Sequence, residues 1–295
     1  MTLETRRRSL VSALAWRLAA AVSVLLLSGF FAATLVRWAP GFGMDERLLD
    51  ARLSAGSRLA VEAETGSQNR ILPYYWRYLK NFLQGEMGDS ISLGRPVNEL
   101  LSERLAVSFR SGLTGLALAW AAALLGVALL ELLHGNLSEA AASLAVGALQ
   151  CTPAALLALI CVYLGAAPAV AIAAIVFPRI FRYLRDLARQ ARRAPHVLAA
   201  HALGIRPVRI LAFHMVAPSL AELLSLAGVS VSMAVGALVP VEALCDSPGV
   251  GQLVWQAAMA RDLPVLVNVT LLIAGLTVAA NLAADTARSM REAEA

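Results

Sequence analysis

Six stretches of the chain are long and apolar, roughly 14–36, 107–133, 141–164, 167–184, 217–240 and 264–285. A helix needs about 20 apolar residues to cross a bilayer core. Hydrocarbon offers backbone groups no water, so each stretch is expected to be helical. The pattern predicts an all-α, polytopic membrane protein with six transmembrane helices. Between Ala140 and Phe177 the apolar run is interrupted at Gly165-Ala166-Ala167-Pro168. Glycine and then proline after a helix is a stop signal, so a tight hairpin is expected there rather than one long helix. The runs divide the chain into residues 1–36, the N-terminus and first span; 37–106, a polar segment after it; and 107–295, the transmembrane core.

Charge gives this pattern a direction. Only 15% of the residues are charged and 59% are hydrophobic, with a mean hydropathy of +0.68. A soluble domain carries about 25% charged residues. The formal net charge is +5, and Lys80 is the one lysine. Arg6, Arg7 and Arg8 precede the first span. Arg179, Arg182, Arg185, Arg189, Arg192, Arg193, Arg206 and Arg209 run from the later part of the fourth span towards the fifth, and Arg288 and Arg291 follow the sixth. Arginines that flank apolar spans set topology, which argues against nucleic-acid binding. With six spans, all three groups fall on the cytoplasmic side, and both termini with them. The short loop from His134 to Glu139 carries no arginine. Residues 40–104 are charge-balanced and are expected outside, including an aromatic-rich helix over 73–82 that reads as a surface helix. The run Leu18–Val36 ends in Arg37-Trp38-Ala39-Pro40, not in a small-residue cleavage site, so an uncleaved first span is expected. Arg179, Arg182, Arg185, Arg189 and Arg192 recur every three to four residues and share a helix face. That face suits anionic lipid or an acidic partner surface.

Candidate chemistry is sparse. A phosphate-cradling Walker loop needs a lysine, and Lys80 sits in Tyr78-Leu79-Lys80-Asn81. Binding of ATP in that manner is therefore not expected of this chain. His134, His196, His201 and His214 form no metal-site spacing with Cys151, Cys161 and Cys245, and the cysteines read as small buried hydrophobes. No catalytic, cofactor-binding or metal-ligating residue is expected. Among acids near the spans, Glu131, Glu242 and Asp285 fall at span ends, where water is expected to reach them. Glu222, near the entry of the fifth span, reads as an interfacial residue paired with an arginine.

The segment Leu198–Pro218 sits in the most basic part of the chain. It reads as a short helix through Ala199 and Ala200 that stops at Gly204. A turn follows through Ile205-Arg206-Pro207, then a second helix carrying His214. Small side chains allow close approach to another surface, and glycine permits the left-handed conformation that ends a helix. Proline suits the first turn of the next one.

These residues resemble the coupling loop of permeases of the dipeptide, oligopeptide and nickel importer family. Ala199, Ala200 and Gly204 fall on the family's Ala, Ala and Gly, and His214 on a common His. The resemblance spans nearly the whole chain. Val241-Glu242-Ala243-Leu244 followed by Ser247-Pro248-Gly249-Val250-Gly251 is similar to E-x-x-F/L-x-x-P-G-L/V-G. Arg261-Asp262-Leu263-Pro264-Val265 resembles R-D-Y/L-P-V. Tyr78-Leu79 and Gly85-Glu86-Met87-Gly88 look like YL…GDLG, and Pro40-Gly41 stands where members carry Pro-Gly-Asp. The chain departs at Leu198, where the family has Glu or Arg; at Pro218, where Asn is common; and at Glu222, in place of Pro.

The resemblance implies a permease subunit of an ATP-binding-cassette importer in a bacterial inner membrane. It implies half of a translocation path for peptides or similar small solutes, with the coupling helix-turn-helix at about 189–216 between spans four and five. The implied partners are a second homologous permease, two ATPase subunits holding ATP and Mg, and an extracytoplasmic solute-binding protein. The alternatives are an ion-coupled carrier working alone and a non-transporting scaffold for an ATPase.

Overall fold

The computed structural model describes residues 16–17, 19–31, 34, 76, 79–81, 84–133, 136–206 and 209–294. The expected helix over 73–82 and Pro207 lie largely or wholly outside them. Among the described residues the fold is all-helical, with one isolated bridge between Asp89 and Pro96. The helices are α1 (Ala19–Phe31), α2 (Val97–Leu133), α3 (Asn136–Cys151), α4 (Ala154–Tyr163), α5 (Pro168–Arg193) and α6 (Pro195–Ala202). A π-helical segment, Ile210–Val216, follows. Then come α7 (Leu220–Leu244), α8 (Val250–Ala260) and α9 (Leu263–Glu294).

Among the described residues, three helical stretches are long and apolar enough to cross a membrane: Val97–Leu130 of α2, α7, and Leu263–Ser289 of α9. The expected span over 141–164 is not one helix. It is α3 and α4, meeting at 99°, and it makes a fourth span only if the bent pair is counted as one. The cause is Pro153. Proline has no amide hydrogen and disfavours helical backbone in the residue before it, so α3 stops at Cys151. Pro153 then caps α4 with φ −58° and ψ 140°.

The hairpin expected at 165–168 is present. Gly165 takes φ +65°, with Gly165 N–H bonded to the Val162 carbonyl at 3.0 Å and Ala166 N–H to the Cys161 carbonyl at 2.8 Å. This is the Schellman closure, in which a left-handed residue returns orphan carbonyls to the chain. Pro168 opens α5 immediately afterwards.

Helix α5 is the centre of the bundle and packs on α2, α3, α4 and α7. Its Ile172, Val176, Ile180 and Phe181 are buried with Ala119 and Ala123 of α2, Ala158 and Cys161 of α4, and Leu226, Ala234 and Val241 of α7. The helices α2 and α5 meet almost backbone to backbone. A Cβ added at Gly115 would stand 2.8 Å from the Ile172 Cβ and from the Ala169 carbonyl oxygen. Small residues permit this approach, which is how membrane helices gain packing without a hydrophobic drive. Phe109, Leu113, Leu125 and Leu129 of α2 point outward, as a lipid-facing surface requires. A second cluster joins Val97, Leu100 and Leu101 to Val250, Leu253, Ala257, Val265 and Val269. It binds the start of α2 to α8 and α9.

Candidate functional site

The basic segment between α5 and α7 folds as a two-faced hairpin. Ala194 alone separates α5 from α6, with ψ 134°. Val197 and Ala200 of α6 bury against Ile210, with Ile205 and Met215 packed beside them. Gly204 takes φ +69°, and Ile205 N–H reaches the Ala200 carbonyl at 3.2 Å. The glycine thus closes α6 as the sequence anticipates. The second helix is π-helical rather than α-helical, and His196 Nε2 donates to the His214 carbonyl at 2.9 Å, tying the two arms. His214 itself is half-buried, and its Nδ1 has no hydrogen-bond partner among the described residues. Ala199 faces out, as do Leu198, Leu203 and Phe213, exposed by 59%, 78% and 69%. One face of the hairpin is therefore packed and the other presents bare apolar side chains.

The arginine face of α5 lies along α3, with Arg179 and Arg182 still exposed. Arg182 Nη1 donates to Gln150 Oε1 at 2.7 Å, and Arg185 Nη1 to Ser143 Oγ at 2.6 Å. Glu139 pairs with Arg185 at 3.3 Å and also with Arg189. The sequence shows the stripe but not its destination, and these contacts are neither lipid nor partner. Glu222 has no arginine partner among the described residues, and its Oε2 is buried without a hydrogen bond.

At the opposite end, the remaining family-motif residues form two carboxylate knots. Glu242 is fully buried, not reached by water as its position near the span end suggested. Its cover is α2 and the start of α8. Ser108 Oγ donates to Oε2 at 2.9 Å, Ser111 Oγ to Oε1 at 3.2 Å, and Gly251 N–H to Oε2 at 2.7 Å. Ser108 Oγ also accepts from Val250 N–H at 2.7 Å. Gly249 lies against the same carboxylate, where any Cβ would collide with it. Pro248 is exposed at the bend between α7 and α8. A buried charge persists only when it is hydrogen-bonded, and here the positive end of α8 adds to the compensation.

Asp262 is also fully buried. Its Oδ2 accepts from Ser90 Oγ at 2.5 Å, Ser92 N–H at 2.9 Å and Ser92 Oγ at 2.7 Å. Oδ1 accepts from Val265 N–H at 3.3 Å, so Asp262 caps α9. Arg261, exposed, takes φ 55° and ends α8. Pro264 sits in the first turn of α9, and its carbonyl accepts from Asn268 Nδ2 at 2.8 Å. Asn268 also holds the Met87 carbonyl at 2.8 Å. Ser90, Ser92, Ser108, Ser111 and Asn268 are absent from the sequence reading. Ser108 and Ser111, three apart in an apolar helix, share a face and are the one signal that could have pointed to a buried acceptor.

This chain has relatives whose names speak to transport. It is 25% identical to a probable peptide ABC transporter permease protein of Sinorhizobium fredii, over 93% of this chain and 96% of the relative. It is 24% identical to a putative peptide transport system permease protein of Brucella abortus, over 91% and 94%. It is 23% identical to the nickel import system permease protein NikB of Staphylococcus aureus, over 94% and 89%. Residues 134–290 match the family described as binding-protein-dependent transport system inner membrane component. The match takes in α3 to α9, including the hairpin and both carboxylates. This chain belongs to that family and is a permease subunit of an ATP-binding-cassette importer, a transport component rather than an enzyme.

Proposed function

We propose that this subunit forms half of a translocation path for peptides or similar small solutes, beside a second homologous permease. Two cytoplasmic ATPases, which hold the ATP and Mg, drive it, and an extracytoplasmic solute-binding protein delivers cargo. The observation that carries this reading is the hairpin of α6 and the π-helical segment. It continues from α5 through one residue and leaves Leu198, Leu203 and Phe213 bare. Large apolar side chains left exposed outside the membrane spans suit a protein-docking surface. Ala199, Ala200, Gly204, Ile205, Pro207 and His214 are the residues through which an ATPase would act.

Six spans with both termini cytoplasmic remain the topology of this reading, with α3 and α4 as one broken span. Two contacts support it. Arg17 Nη1, just before α1, donates to the Asp285 carbonyl at 3.2 Å, which brings the first and last spans' terminal ends together. Glu139, in the arginine-free loop region, pairs with Arg185 and Arg189, which places that loop beside the basic end of α5. Glu242, Pro248, Gly249, Gly251, Arg261, Asp262 and Pro264 hold the opposite end rigid, facing the delivery protein.

The test is purification followed by vesicle assay. An ATPase and a second permease should co-purify with this chain, and reconstituted vesicles should take up a dipeptide only with ATP and the binding protein. Uptake without ATP would indicate an ion-coupled carrier instead, and co-purification without any uptake a scaffold.

A further inference from the structure

A cavity of about 180 Å³ lies in the fork of the bent pair α3–α4. Gln150 and Thr152 line it from the break, Ala154 from the first turn of α4, Pro178 and Arg179 from α5, and Met233 from α7. Its depth follows from Met233, which stands near the middle of the candidate span Leu220–Leu244. Arg179 Nη1 approaches Met233 Sδ at 3.8 Å. A guanidinium therefore sits near mid-membrane beside a cavity.

The other arginines of this face are provided for. Arg182 has the Gln150 amide oxygen, Arg185 has Ser143 and Glu139, and Arg189 has Glu139. Arg179 has a thioether, and among the described residues no carboxylate stands within ion-pair distance of it. A charge at this depth is costly and marks a functional position when it faces a cavity. The cavity is also the place where α4 begins, and the Pro153 cap supplies no side-chain acceptor to its first turn. That end of a helix carries partial positive charge, and interrupted membrane helices present such ends to anionic groups of their cargo.

We propose that this cavity is a subsite for the carboxylate of the solute in transit. Arg179 is its charged ligand, and the first turn of α4 is its dipolar support. The inference rests on the importer reading above. The size suits one terminus of a solute, since whole-ligand pockets occupy about 300–1,000 Å³. Lipid phosphate is not the anion, because headgroups lie about 15 Å from the bilayer centre.

The experiment uses the assembled complex in proteoliposomes, with Cys151, Cys161 and Cys245 replaced by alanine and Thr152→Cys added. Anionic sulfonatoethyl and cationic trimethylammonioethyl methanethiosulfonates are compared as thiol probes. The anionic reagent should react about tenfold faster than the cationic one. Arg179→Gln should erase that preference and Arg179→Lys should keep it. In the complex without the added thiol, Arg179→Gln should lower ATP-driven dialanine uptake about tenfold while binding-protein-stimulated ATP hydrolysis persists.

Equal reactivity of the two probes, as when a partner permease's carboxylate already neutralises Arg179, would overturn the proposal. So would unchanged uptake by Arg179→Gln. Absence of uptake by the parent complex would strike the importer reading, leaving the probe ratio to decide the cavity.

Discussion

Ser90 and Asp262 stand 172 positions apart in sequence and 2.5 Å apart in space. Through this contact the turn before α2 is fastened to the first turn of α9. The Asp262 carboxylate accepts every donor that reaches it, from Ser90, Ser92 and Val265. An amide in its place must turn two N–H donors toward donors. Asp262→Asn is therefore expected to cost about 1–3 kcal/mol, the penalty of stranding buried polar groups. Limited proteolysis within 85–96 should accelerate, and the Tm of the detergent-purified protein should fall. Unchanged cleavage would show that the turn is held by the apolar cluster alone.

Ser108 serves two partners at once, Glu242 and the Val250 amide. Ser108→Ala strands both and should lower stability by about 1–3 kcal/mol. Ser111→Ala removes one longer bond, at 3.2 Å, and leaves Glu242 with Ser108 and Gly251. Thermal unfolding of the two variants side by side should show the larger loss in the first. The reverse order would mean that Ser111, not Ser108, is the main support of the carboxylate.

Gly204 holds φ +69°, and a left-handed backbone costs an L-residue about 1–2 kcal/mol. A Cβ there meets nothing within 4 Å, so the penalty of Gly204→Val is conformational rather than steric, and the bundle should survive. Transport should fall while ATP hydrolysis continues, measured at matched protein level and assembly. Normal uptake would remove Gly204 from the coupling path.

Arg261 occupies the same kind of backbone, at φ 55°, without being glycine. It is exposed and closes α8 through its N–H to the Ala258 carbonyl at 3.3 Å, a bond any residue can make. Arg261→Gly should raise stability by about 0.5–1 kcal/mol, relief of left-handed strain less the extra entropy of glycine when unfolded. A drop in Tm would show that the side chain makes a contact of its own in the assembled complex.

Cysteine labelling tests the topology. Reagents that cannot cross the membrane should modify Ser67→Cys in intact cells and should not modify Ser289→Cys. The opposite result would invert the molecule and move the hairpin outside.

Local features were the legible ones. Gly165 and Pro168 announce the hairpin, and Gly204 announces the end of α6, because a left-handed turn is a property of one residue and its neighbours. The 99° break was also written in the sequence, as Gln150, Thr152 and Pro153, but two polar residues and a proline within a long apolar run do not by themselves say how sharply a span bends. Ser108 and Ser111 were illegible because their acceptor lies more than a hundred positions away. Helical spacing sets the arginines on one face of α5. It says nothing about whether that face meets lipid, a partner or, as found, α3. Glu242 illustrates the same limit, since a position near the end of a span looks wet until another helix covers it.

The close contact of Gly115 with Ile172 is one of two grips that α2 has on α5. A Cβ at Gly126 would stand 2.9 Å from the Phe181 ring, nine residues further along. With 26 residues, α5 is a rod of about 39 Å, and the two grips lie about 14 Å apart on it. Arg179 falls between them, whereas the end that joins α6 runs on for about 18 Å past the second. The stretch beside the joint at Pro153 is therefore clamped at both ends, and any bending of α5 is left to the part beyond Phe181.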